Sequence, residues 1–221
     1  MEPVILACET LRRELEQAMC RTGTALPVFW LPGGAHNVPE KRREQIQSAL
    51  DKLQGFDTVL LAMSLCGGSL QGLESGNRTL VVPRCDDCIT LLLGQELRRK
   101  HPGTYFLTEG WLQGERNIRA EYRHCVEAHG KARAKRIFGR MFAHYRYLAL
   151  VDTIPPVPET EALCREIAET LELEYRFLEG SCGWLEDLLA RRWHPDRFLT
   201  VPPHTTVTPA LCREAGGSHE L

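Results

Sequence analysis

Short apolar blocks recur along the chain, and stretches with helical spacing separate them. Residues 4–8, Val-Ile-Leu-Ala-Cys, are apolar throughout, the pattern of a strand buried on both faces. Residues 9–21 then place Leu11, Leu15, Ala18 and Met19 at helical intervals. The pattern predicts a second strand over 27–31 and a helix over 39–54, which starts at Pro39 and stops at Gly55. The apolar run 58–65 predicts a third strand, ending in Cys66-Gly67-Gly68, with a short helix over 69–74. A fourth strand, 79–82, runs into Pro83-Arg84-Cys85-Asp86-Asp87-Cys88, and a helix over 87–100 follows. Beyond it come strand 104–108, a polar and basic helical stretch 113–143, strand 147–151, helix 159–171, strand 174–178, helix 184–192 and strand 197–201.

Alternation of this kind predicts an α/β fold of three layers, a mainly parallel sheet with helices on both faces. Flavodoxin-like and Rossmann-like strand orders both remain open. With no linker-like break and no repeat, residues 1–201 read as a single domain in which 113–143 is a candidate helical cap. Residues 202–221, rich in Pro, Thr, Gly and His, read as a loose tail.

Composition narrows this little. The 221 residues are 43% hydrophobic and 25% charged with a formal net charge of −2, which gives no argument for nucleic acid or membrane partners. There is no apolar run of about 18 residues and no basic-then-apolar leader, so the expected location is cytoplasmic. The nine cysteines change the picture more. In a reducing compartment clustered cysteines point to metal or redox chemistry, and an odd number fits a disulfide framework poorly. The competing reading is that they are small buried hydrophobes. Position separates the two: Cys20 and Cys164 lie mid-helix and read as core.

Ligands in open α/β sheets collect at the carboxyl ends of the strands. Cys8, Cys66, Cys85 and Cys182 each follow a predicted strand, and Cys88 lies one helical turn beyond Cys85. If strands 1, 3 and 4 are neighbours, Cys8, Cys66 and Cys85 span about 10 Å, at roughly 4.8 Å per strand. That spacing suits a shared metal or cluster. Gly67 and Gly68 let backbone approach a ligand and offer N–H groups, and Arg84 would offset thiolate charge. Thiolate ligation favours iron–sulfur, with a [4Fe–4S] cluster as the leading cofactor, or zinc. The Cys85-x-x-Cys88 pair alone also permits dithiol redox chemistry.

Three further residues are candidates for acid–base work: Glu9 after Cys8, His36 in the loop after strand 2, and Glu109 after strand 5. Each has a structural alternative, a helix start for the glutamates and an ordinary loop position for His36. Asp152 ends strand 6 in an unassigned role. Arg119, Arg123, His124, Lys131, Arg133, Lys135, Arg136 and Arg140 form a basic helical stretch, either a solvated face or a dock for an anionic substrate or an acidic partner.

Ile5-Leu6-Ala7-Cys8, the Leu31-Pro32 to Pro39-Glu40 loop, Leu65-Cys66-Gly67-Gly68, Pro83-Arg84-Cys85 and Tyr105-Phe106-Leu107-Thr108 together resemble the domain-of-unknown-function family 1638. The resemblance implies that Cys8, Cys66 and Cys85 are family positions; Cys88 and Cys182 have no assigned place in its pattern, and either is a candidate fourth ligand. Through the company its genes keep, it implies a link to anaerobic one-carbon metabolism and corrinoid-dependent methyltransferases. The expectation is a metal-centre protein in redox or substrate activation. Its rivals are a zinc-thiolate methyltransferase-like enzyme and a non-enzymatic accessory protein that binds a methyltransferase partner.

Overall fold

The computed structural model describes residues 2–33, 38–114, 117–154, 156 and 158–213. In chain order its strands are β1 (Val4–Cys8), β2 (Val28–Leu31), β3 (Thr58–Ala62), β4 (Thr79–Pro83), β5 (Thr104–Leu107), β6 (Tyr147–Asp152), β7 (Glu174–Glu179) and β8 (Phe198–Val201). The α-helices are α1 (Arg12–Thr22), α2 (Pro39–Lys52), α3 (Cys88–Leu93), α4 (Gln95–Arg99), α5 (Glu109–Leu112), α6 (Ile118–His129), α7 (Lys131–Met141), α8 (Pro158–Leu171), α9 (Gly183–Leu189) and α10 (Pro209–Arg213). The α/β class and the mainly parallel pairing follow the apolar pattern.

The single sheet does not. The strands form two sheets, β2-β1-β3-β4-β8 and β5-β6-β7, and the chain divides into two compact units, Met1–Leu91 with Cys182–Leu221, and Leu92–Ser181. The reason lies in residues 92–181, which pair β5, β6 and β7 with one another and bury a core of their own around Leu148, Leu150, Ile167 and Phe138.

In the first unit, β1 pairs with β2 on one side and β3 on the other, β3 pairs with β4, all parallel, and β8 closes the sheet antiparallel to β4. Alternate residues face opposite sides of a strand. Val4, Leu6 and Cys8 with Val59 and Leu61 therefore join one core with Ile46 and Leu50 of α2, while α1 and α9 pack together and α9 reaches β3 and β4. Buried on both faces, β1 carries no polar residue.

Two local expectations change. The helix over 69–74 does not form: the N–H of Gly72 and that of Ser75 instead donate to Val207 and Thr205. The same bonds, with Val207 buried, tie down the first part of the tail read as loose, while residues 214–221 lie outside the described residues. No helix among the described residues is long and apolar enough to cross a membrane.

Candidate metal centre

Because β1, β3 and β4 are adjacent, Cys8, Cys66 and Cys85 follow neighbouring strand ends. Cys8 is the last residue of β1; it is buried, and its Sγ lies 3.0 Å from the Thr10 hydroxyl. Cys66 opens a 3-10 turn, Cys66–Gly68, after β3. Three successive residues there have left-handed backbones: Cys66 at φ 45°, Gly67 at 63° and Gly68 at 89°. The glycines accept this freely, whereas Cys66 carries a Cβ into it at a cost of about 1–3 kcal/mol. The Cys66 thiol is half-exposed and lies 3.1 Å from the Ser64 hydroxyl.

The N–H of Leu65 donates to the carbonyl of Cys85 at 2.9 Å, which ties the Cys66 turn to the end of β4. Burial pushes the Cys85 thiol well above its ordinary value. The neighbouring Cys66 and Cys88 thiols, then the Asp87 and Asp86 carboxylates, push it further. Without a cation nearby, Cys85 is therefore a thiol rather than a thiolate. Cys88 begins α3, and Asp87 caps that helix by accepting from the Thr90 N–H and hydroxyl at 2.8 and 2.9 Å. Leu65, Gly67, Gly68, Asp86, Asp87 and Cys212 help to line an open cleft of about 450 Å³.

The other predicted residues take different places. Cys182 follows β7, but the chain has by then returned to the first unit. Its buried thiol donates to Gln17 of α1 at 2.9 Å and belongs to the α1–α9 contact, whereas Cys8 belongs to the core under α2. The Arg84 guanidinium donates to the carbonyls of Phe198, Leu211 and Cys212. Glu9 pairs with Arg12 at the surface. Glu109 belongs to the second unit, where it opens α5 and accepts from Gln113. His36 lies outside the described residues. Cys164 is core, as its position mid-helix predicts, but Cys20 is exposed. Cys212 had no signal in a stretch without periodicity.

The basic stretch forms α6 and α7. Arg119 pairs with Glu166 and Lys135 with Glu172, at 3.5 and 2.7 Å. A groove of about 340 Å³ between α6 and α8 has Ile118, Tyr122 and Val126 on its walls and Arg119, Arg123 and Lys131 around them.

As a donor set, three or four cysteines suit a thiophilic centre. Among the described residues, however, no three His, Cys, Asp or Glu side chains are gathered as a ready-made ion site. The family of proteins of unknown function DUF1638 matches residues 30–189, most of the chain. The chain belongs to this family. The matched span of this DUF1638 protein includes Cys66, Cys85 and Cys88 and begins after Cys8. No curated protein and no solved structure matches it.

Proposed function

We propose that this DUF1638 protein holds a metal centre at the carboxyl edge of its first sheet. Cys8, Cys66 and Cys85 are the ligands and Cys88 the fourth donor. The observation that carries the reading is the adjacency of β1, β3 and β4, reinforced by the Leu65–Cys85 backbone bond. A [4Fe–4S] cluster is the preferred occupant, because it would be held by cysteines from separate strand ends that are not gathered as a ready-made site for one ion. When bound, such a cluster would supply electron transfer with Cys88 as fourth donor, or a Lewis-acidic iron for substrate activation if Cys88 leaves that position open.

The chain's own residues would do the rest. Cys85, held protonated by burial, would have to release its proton to water to serve as a thiolate ligand. The left-handed Cys66–Gly68 turn, in which the Gly68 N–H donates to the Leu65 carbonyl, would bring backbone close to bound sulfur, where N–H donors tune its potential. The role suggested by the family resemblance is redox or substrate activation in anaerobic one-carbon metabolism beside corrinoid methyl transfer. A zinc-thiolate site is the second reading, favoured by the mutual influence of Cys66, Cys85 and Cys88.

The test is anaerobic purification with iron, zinc and acid-labile sulfide analysis. Iron with sulfide and a broad absorbance near about 400 nm supports the cluster; stoichiometric zinc in a colourless protein replaces it with the second reading. The Cys8→Ala, Cys66→Ala, Cys85→Ala triple variant should lose the metal. Equal metal content in wild type and variant, including none in either, sinks the centre.

A further inference from the structure

Arg42 is among the largest fully buried side chains of the first unit, 1% exposed. It sits on the sheet-facing stripe of α2 with Ile46 and Leu50, one and two turns further on. Ile46 and Leu50 pack in the same core as Cys8. Arg42 is at the N-terminal end of that stripe, and its Nη1 donates to the Pro32 carbonyl at 2.7 Å. Pro32 directly follows Leu31, the register partner of Cys8. The guanidinium is thus fixed at the carboxyl edge of the sheet, next to the end of β1.

Its other two groups are unfilled. Nε and Nη2 are buried and have no hydrogen-bond partner among the described residues. A buried cation with one neutral acceptor is costly, and such an orphan in a native protein calls for an explanation. The particular pair matters. Nε–H and Nη2–H lie side by side on one edge of the guanidinium plane and point the same way, the fork that receives both oxygens of a carboxylate or two of a phosphate. Two features reinforce it. The positive end of the fourteen-residue α2 is at hand. Ser69, directly after the Cys66–Gly68 turn that packs against α2, has a buried hydroxyl that is also without a partner among the described residues.

We propose that Arg42 is the anion receptor of this edge: it binds the carboxylate or phosphate group of a small substrate through its Nε–Nη2 fork. The inference rests on the metal centre only for what the rest of that substrate would meet; the binding itself needs no metal.

The experiment therefore uses full-length, reduced, chelator-treated protein and two probes, sodium acetate and inorganic phosphate, with sodium chloride at matched ionic strength. Melting temperature and calorimetric titration are the readouts. One oxyanion should raise the melting temperature by several degrees at millimolar concentration while chloride does not, and the better probe assigns the class. Arg42→Lys, which keeps the charge and loses the fork, should bind at least about tenfold more weakly. Arg42→Met should lose the response and melt no lower than the anion-free wild type, since it removes an unpaired buried charge. The inference is overturned if neither oxyanion outdoes chloride, or if Arg42→Lys binds as well as wild type. Metal analysis of Arg42→Lys keeps the two readings apart: a variant that loses the anion and keeps its metal supports the receptor, and anion binding that survives the cysteine triple variant does so even if the centre falls.

Discussion

The two units are built from the same β–α alternation, yet their strand ends differ in what they satisfy. In the second unit the carboxyl end of β6 is Asp152, buried, with its carboxylate accepting from the N–H groups of Thr153 and Ile154 at 2.8 and 3.2 Å. Thr108, after β5, caps α5 in the same self-contained way. In the first unit the corresponding positions hold a strained Cys66, a Cys85 kept protonated by its surroundings, and an Arg42 with two unfilled donors. Polar groups at one set of strand ends close their own turns. Beside the other set, where Asp87 also caps its helix, the fold leaves a strained cysteine, a buried thiol and, on α2, an arginine with unfilled donors, the mark of positions kept for something other than stability.

The largest effect expected should not distinguish the units at all. Leu60→Ala in β3 and Leu150→Ala in β6 each remove a fully buried side chain and should each cost about 2–5 kcal/mol, read by denaturant titration with amide exchange followed in β1 and β6 respectively. A cost well below this in either would mean that its core is loosely packed.

The edges should then part company. Asp152→Ala leaves the Thr153 and Ile154 amides unsatisfied and should lose about 1–3 kcal/mol, with Asp152→Asn largely restoring it. Cys66→Gly in metal-free protein should be neutral or stabilising by up to about 1 kcal/mol, because glycine relieves the left-handed strain. Thermal melts of the variants check this pair; a strongly destabilised Cys66→Gly would make the turn structural and erase the contrast.

The smallest effect is in alkaline stability. Burial raises Cys85 well above its ordinary 9.0 and Cys164, in the second unit, to about 12. The folded state then holds protons that the unfolded chain has lost. The stabilisation of each neutral thiol is complete below pH 9 and declines above it. Tyr105 and Tyr175, raised from 10.0 to about 12, extend the same slope from pH 10. Between pH 7 and pH 10 each thiol should account for about 1 kcal/mol of lost stability. Urea titrations at the two pH values should give a shallower loss for Cys85→Ala and for Cys164→Ala. Metal loading should flatten the first and leave the second.

Much of this contrast could be read from sequence in part only. The central strands β1, β3, β4 and β6 announce themselves as apolar blocks, because burial on both faces leaves little room for polar residues; β7, Glu174–Glu179, is mixed and half-exposed, and is legible only through its β-forming Tyr175, Phe177 and Leu178. The partition into two sheets was not legible: alternation specifies a parallel neighbour for each strand but not which strands share a sheet. Cys182 shows the consequence, since it follows β7 in sequence and belongs to the other unit in space. Gly67-Gly68 signalled an unusual turn, but nothing indicated that Cys66 itself would be left-handed. Arg42 lies four and eight residues before Ile46 and Leu50, so its face was legible. Its burial was not, because an arginine at the end of an apolar stripe ordinarily extends to solvent.

The antiparallel closure by β8 also constrains how the protein is made. Leu80 and Val81 pair with Val201 and Thr200 across the whole of residues 92–181. On the ribosome the second unit emerges complete while β4 is still an open, apolar sheet edge, the kind of surface that recruits other chains. The Arg84 bonds to Phe198 and Leu211 form only when the last segment arrives. The first unit, whose strands are translated earliest, is therefore the one that matures last, and truncation before Phe198 would leave the cysteine-bearing sheet unsealed.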